Sequence, residues 1–208
     1  MVYCERVACY LCPMNIPVED FNDLIKNRRS VFPSQFVQGE TVPEHIVKQI
    51  LTNACWAPNH GQTEPWHFTV FSGEGLKKLA TFQGELYKAE AGDAFKPAVY
   101  EKFQQQPLKA SHIISLGMKR TTTKNIPEIE DIEAVSCAVQ NMYLTTTAYG
   151  IGGYWTTGGV TYRESAKEFF GLEAQDKLLG FFYLGIIAVP SLPGKRSPIE
   201  EKVSWVNG

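Results

Sequence analysis

Within the stretch NHGQTEPWH, His60, Glu64 and His67 stand at H-x3-E-x2-H spacing, and all three side-chain types can ligate zinc or non-haem iron. Two ligands on one helix face need i,i+3 or i,i+4 spacing, which Glu64 and His67 have. Pro65 stands between them, however, and WHFTVF at 66–71 is aromatic and β-branched, which predicts a strand. Strand positions an odd number apart face opposite sides, so without a bend this pair does not meet at one ion. The metal reading is set aside on that ground. His67 is expected to be a packed strand residue. His60 differs: it shares a loop with Asn59, Gly61 and Gln62, where side chains and backbone groups can be aimed at a ligand.

Other reactive groups are scarce. There is no G-x-S-x-G, no G-x4-G-K-[ST] and no G-x-G-x-x-G. Cys55 and Cys137 fall on apolar helix faces and are expected to be inert core thiols. Cys4, Cys9 and Cys12 have the C-x4-C-x2-C spacing of three ligands in a plant-type iron–sulfur site, but their segment has no glycine to wrap a cluster. An iron–sulfur electron carrier therefore stays open as a remote alternative. The leading expectation makes residues 1–13 a disordered N-terminal extension, with the folded domain spanning 14–208 from Met14. A chain this short of nucleophiles and bases is easiest to understand if a bound cofactor does the chemistry.

The elements that must position these residues follow from periodicity. Val18, Phe21, Leu24 and Ile25 predict a helix from Pro17 to about Arg29 that packs this face inward. Pro43 opens a second helix with the stripe Ile46, Val47, Ile50, Leu51, Cys55, which must stop before Pro58. Trp56 to Pro65 is then a loop. A helix is expected at about 75–90, a weakly helical surface lid at 93–107 and a strand at 111–118. The longest helix runs from about Ile129 to Tyr149, with Ile132, Val135, Ala138, Met142 and Thr145 inward. A strand to Thr157, a short helix at 162–170, an apolar strand at 177–189 and a proline-bearing arm complete the chain.

The 208 residues, 44% hydrophobic and 20% charged, suit one domain with a substantial core. A net charge of −2 gives no footprint for nucleic acid or an anionic membrane. No apolar run reaches the roughly 18 residues that span a bilayer, and the start lacks a signal-peptide pattern. A cytoplasmic location is expected.

NRRS at 27–30, APNHGQTEPWHF at 57–68, GGYWTTG at 152–158 and GFFYLGIIAVP at 180–190 together resemble the FMN-dependent nitroreductase family, in its compact NAD(P)H nitroreductase branch. The resemblance implies an α+β fold with a central, mainly antiparallel sheet flanked by helices. It also implies a homodimer with an exchanged C-terminal arm and FMN at the interface. Carried over by position, Arg28, Arg29 and Ser30 hold the FMN phosphate and ribityl end, completed by Lys195 and Arg196. Trp56, His60 and Gln62 approach the flavin, His60 from the other protomer. Trp155, Thr156 and Thr157 pass over its pyrimidine side. No side chain is expected to be catalytic, because flavin N5 carries the hydride in a ping-pong exchange between NAD(P)H and a nitroaromatic, quinone or enone acceptor. The sequence departs from the family pattern in two places: Thr156 and Thr157 replace Arg-Ser, and Glu64 replaces Gln. Buried, Glu64 would need a cationic or donor partner or a raised pKa. These departures keep a second reading open, a flavin-binding sensor or binding module without NAD(P)H-driven turnover.

Overall fold

The structure, a computed structural model, describes residues 16–121 and 125–207. The expectations for Cys4, Cys9, Cys12 and a boundary at Met14 lie outside these residues. Four strands form, β1 (Trp66–Ser72), β2 (His112–Met118), β3 (Ile151–Thr156) and β4 (Lys177–Ile186). They lie in the order β1-β2-β4-β3, each neighbouring pair antiparallel. The helices are α1 (Val18–Asn27), α2 (Glu44–Ala54), α3 (Glu74–Ala91), α4 (Pro97–Gln105) and α5 (Glu128–Ala148). The expected short helix at 162–170 is instead two 3-10 turns, Glu164–Ala166 and Glu168–Phe170. They end at Gly171, whose φ of +70° breaks any helix, and they bury Ala166 and Phe170.

β2 is buried from end to end, and its alternating side chains feed two cores. On one face Ile113 joins Phe71, Phe181 and Tyr183 beneath Leu76 and Leu79 of α3. On the other, Ile114 and Leu116 join Phe182 and Leu184 beneath α2 (Val47, Ile50) and α5 (Ala138, Met142). The result is a helix–sheet–helix sandwich with α5 lying along one side. As expected, α5 turns Val135, Ala138, Met142 and Thr145 inward. It starts after Pro127, and Glu128, Glu130 and Asp131 occupy the first turn, where the helix dipole favours negative charge.

The segment after α1 is pinned to the sheet edge. Val31 N–H donates to the Gly153 carbonyl at 2.9 Å, and Val37 N–H to that of Ile186 at 2.8 Å. Phe36 lies flat against Gly152 and Gly185, where an added Cβ would come within 2.5 and 2.4 Å of its ring. These two glycines let the aromatic ring close on the strands and so fix where Arg28 to Ser30 must sit.

Two expectations are corrected. The apolar face of α1 does not enter the core: the helix has no buried residue, and Val18, Phe21 and Ile25 are exposed, because α1 lies outside the sandwich beside α5. Cys55 and Cys137 are exposed as well, Cys55 at the end of α2 after the buried Ala54 and Cys137 in mid-α5, between the buried Val135 and Ala138. Among the described residues no helix is long and apolar enough to cross a membrane.

Candidate functional site

The stretch NRRS leaves α1 and crosses the C-terminal half of α5. There the Arg28 guanidinium lies 4.9 Å from the centre of the Tyr143 ring, a cation–π contact. The Tyr143 hydroxyl sits 3.1 Å from the Ser30 hydroxyl and accepts the Trp155 backbone N–H at 2.7 Å. One phenol thus couples the first motif to the third. Tyr143 had no signal in the sequence, where an aromatic on a half-buried helix reads as packing.

Arg29 serves the tail. It donates to the carbonyls of Leu192 (3.1 Å), Lys26 (2.7 Å) and Arg28 (2.8 Å), and Gly194 lies so close that a Cβ there would meet the guanidinium at 2.8 Å. The arm's first residues are thereby held against their own α1, which brings Arg196 over the same place. Beyond them the arm exposes Trp205 and Val206. Ile25, Lys26, Arg28, Arg29, Gln140, Gly194 and Arg196 line a cavity of about 470 Å³. Its walls carry four cations and no carboxylate, and among the described residues none of these four is paired with an acidic side chain. Lys195 lies outside it and offers its carbonyl to Arg196 at 2.7 Å.

The loop with Trp56, His60 and Gln62 sits at the opposite end of α5. His60 Nδ1 meets the Glu130 carboxylate, and Thr63 donates to Asp131 at 3.4 Å. Asp131 is 1% exposed and paired with Arg120, whose second guanidinium nitrogen donates to the Ile126 carbonyl and whose backbone N–H donates to Asp176. Gln62 (φ +55°) and Glu64 (φ +45°) occupy the left-handed region, a strained conformation for residues with a Cβ. The Asn59 side chain steadies the second by accepting the Glu64 N–H at 3.0 Å. Trp56 is 82% exposed. Glu64 is exposed too, so the buried carboxylate that its sequence context raised does not arise; its charge, after partial burial, is the second cause that pushes the Cys55 thiol up. His67 lies against Gly171 while His60 turns to Glu130, so the two imidazoles diverge. Among the described residues there is no cluster of three metal-ligating side chains.

Thirteen residues of helix separate Glu130 from Tyr143, which at about 1.5 Å per residue places His60 and Arg28 roughly 20 Å apart along α5. One chain therefore does not bring the loop residues to the arginine cavity. Thr156 and Thr157 sit at the end of β3, with Thr156 facing a separate cavity on the α3 side of the sheet.

The nitroreductase family model matches residues 25–186. YdjA of Escherichia coli (strain K12), provisionally named an NAD(P)H nitroreductase, is 32% identical over 166 residues, covering 80% of this chain and 87% of that protein. A nitroreductase-like protein from Bacillus cereus superposes with a TM-score of 0.75 at 27% identity, over 90% of this chain and 96% of that one. The FMN-dependent nitroreductase NfnB of Mycobacterium smegmatis, solved with NADPH, gives a TM-score of 0.70 at 20% identity over 91% and 99% of the two chains, a likeness of fold.

Proposed function

The chain belongs to the nitroreductase family, and from that premise we propose that it is an FMN-dependent NAD(P)H oxidoreductase whose site is completed by a second copy of itself. The observation that carries the reading is the cavity with four cations and no carboxylate at the end of α5. An uncompensated cluster of guanidinium forks suits a phosphate, which they can grip with paired, charge-assisted hydrogen bonds. FMN brings such a phosphate, and when bound it supplies the centre that takes a hydride from NAD(P)H and gives electrons to an oxidised acceptor in a second half-reaction.

The chain's own residues bind and orient. Arg28 and Arg196 would hold the phosphate; Arg29, spent on the carbonyls of Lys26, Arg28 and Leu192, holds the arm that carries Arg196. Ser30, Tyr143 and the Trp155 N–H form one hydrogen-bonded unit that fixes the β3 edge to the segment carrying Arg28. The hydroxyls of Thr156 and Thr157 offer neutral donors to the ring where relatives of the resemblance carry a cation. Nitroaromatics, quinones and enones are the acceptor classes in view.

The roughly 20 Å between the two half-sites supports the second copy. A twofold axis across the middle of α5 would bring the loop end of one chain to the arginine end of the other. The exposed apolar face of α1 and the exposed Trp205 and Val206 of the arm are surfaces such a contact would cover. The test is reconstitution with FMN followed by sedimentation read at both protein and flavin wavelengths. One flavin per chain, travelling with a dimer, is expected; flavin bound stoichiometrically by a monomer contradicts the shared site.

A further inference from the structure

The ladder between β2 and β4 is irregular at one place. Between the pairs Ser115 with Phe181 and Gly117 with Leu178, β2 advances two residues and β4 three, so β4 carries a bulge at Leu179 and Gly180. Gly180 has φ +123°, a conformation that residues with a Cβ rarely adopt. Ser115, at the edge of the bulge, keeps the one buried side-chain polar atom that has no partner among the described residues. Both features cost stability, and a bulge re-aims what lies beside it.

Beside it lies the end of β3. The pairing of β3 with β4 ends at Thr156 opposite Phe181, one residue short of Gly180. The Trp155 indole reaches past that end and donates to the Leu179 carbonyl at 3.0 Å. A Cβ on Gly180 would stand 2.8 Å from the same indole nitrogen and 2.3 Å from the Thr156 carbonyl oxygen, so glycine is what lets β3 close on the bulge. An indole has a single polar hydrogen and no acceptor. With that hydrogen given to Leu179 and the ring packed against the core beneath α2 and α5, Trp155 has no side-chain donor left for a ligand. Its backbone N–H is spent as well, on the Tyr143 hydroxyl at 2.7 Å.

We propose that Trp155 is a positioning residue: its indole, clamped to the β4 bulge, fixes the end of β3 and so sets where Thr156 and Thr157 offer their hydroxyls to the flavin ring. The role rests on the proposed function, in which those hydroxyls are the neutral donors. Held in place, they favour the reduced, negatively charged ring over the oxidised one; released, they lose part of that preference.

Trp155→Phe keeps an aromatic ring and removes the donor. In flavin-free protein the wild-type Trp155 indole proton should exchange slowly with solvent, read by NMR as the indole signal that Trp155→Phe lacks. In FMN-loaded protein the midpoint potential is read anaerobically against redox dyes. Trp155→Phe should keep its affinity for oxidised FMN and lose roughly two- to tenfold in its relative affinity for the reduced form, the worth of one hydrogen bond. For a two-electron couple that is a potential lowered by about 10–30 mV. With Thr156→Val and Thr157→Val already in place, Trp155→Phe should add no further shift. Ile114→Val, a truncation elsewhere in the core that also destabilises, should leave the potential where it is. A freely exchanging Trp155 indole proton, an unchanged potential in Trp155→Phe, or a shift that persists in full without the two threonine hydroxyls overturns the proposal. Wild-type protein that takes up no FMN overturns the proposed function itself, and the role of Trp155 with it, so the two failures are told apart by whether the wild type loads.

Discussion

The two ends of α5 are built on opposite principles. At the Tyr143 end charge is concentrated and left uncompensated, with Arg28, Arg29 and Arg196 facing one cavity that no carboxylate lines. At the Glu130 end the charged side chains that face α5 are paired: Glu130 with the His60 ring and Asp131 with Arg120. Strain is divided the other way. The arginine end sits on regular backbone pinned to β3, whereas the loop end holds Gln62 and Glu64 at positive φ. A ligand site that waits for an anion needs open charge on a rigid frame. A loop held in a sparsely populated conformation needs its electrostatics closed around it. The difference assigns binding strength to one end and positioning to the other.

Breaking the loop end should produce the largest loss of stability. Asp131→Ala leaves the Arg120 guanidinium beside an emptied, buried position and should cost about 3–5 kcal/mol, read by denaturant unfolding. A loss under about 1 kcal/mol would mean the pair is surface-like and would erase the contrast. At the other end Arg28→Ala should leave stability nearly unchanged and weaken FMN by roughly ten- to a hundredfold, since each charge-assisted bond is worth about 1.5–3 kcal/mol. Unchanged FMN affinity would remove Arg28 from the site. Tyr143→Phe should cost about 1–3 kcal/mol because the Trp155 N–H loses its acceptor; it should also loosen FMN, which Arg28→Lys should do less. Glu130→Gln, which breaks a half-exposed pair, should move stability by no more than about 1 kcal/mol. The smallest effect sharpens the electrostatics. Removing the charge in Glu64→Gln should lower the Cys55 thiol pKa and modestly speed its alkylation at mildly alkaline pH, and an unchanged rate would show that burial alone sets it.

Much of this is legible in the sequence. Pro43, Pro58 and Pro65 bracket α2 and the loop, and the 3.6-residue stripe on α5 named Val135, Ala138, Met142 and Thr145. Arg28, Arg29 and Arg196 were placed by resemblance, and the structure brings them to one cavity. Periodicity failed where the partner surface lies outside the chain: the α1 stripe is apolar yet exposed, because amphipathicity reports that a face is to be covered without saying by what. It failed again at Cys55, one step past the buried Ala54, where the helix ends and its stripe turns to solvent. Tyr143 could not be found from spacing at all. It matters through what lies across a tertiary gap, Ser30 and Trp155.

In the proposed enzyme the arginine end of α5 holds a flavin that NAD(P)H reduces. Purified protein reconstituted with FMN should show visible flavin absorbance that bleaches anaerobically with NADH or NADPH and returns when a nitroaromatic or quinone is added. A protein that cannot be reconstituted with FMN, or one that binds it and is bleached by neither nicotinamide, contradicts the account.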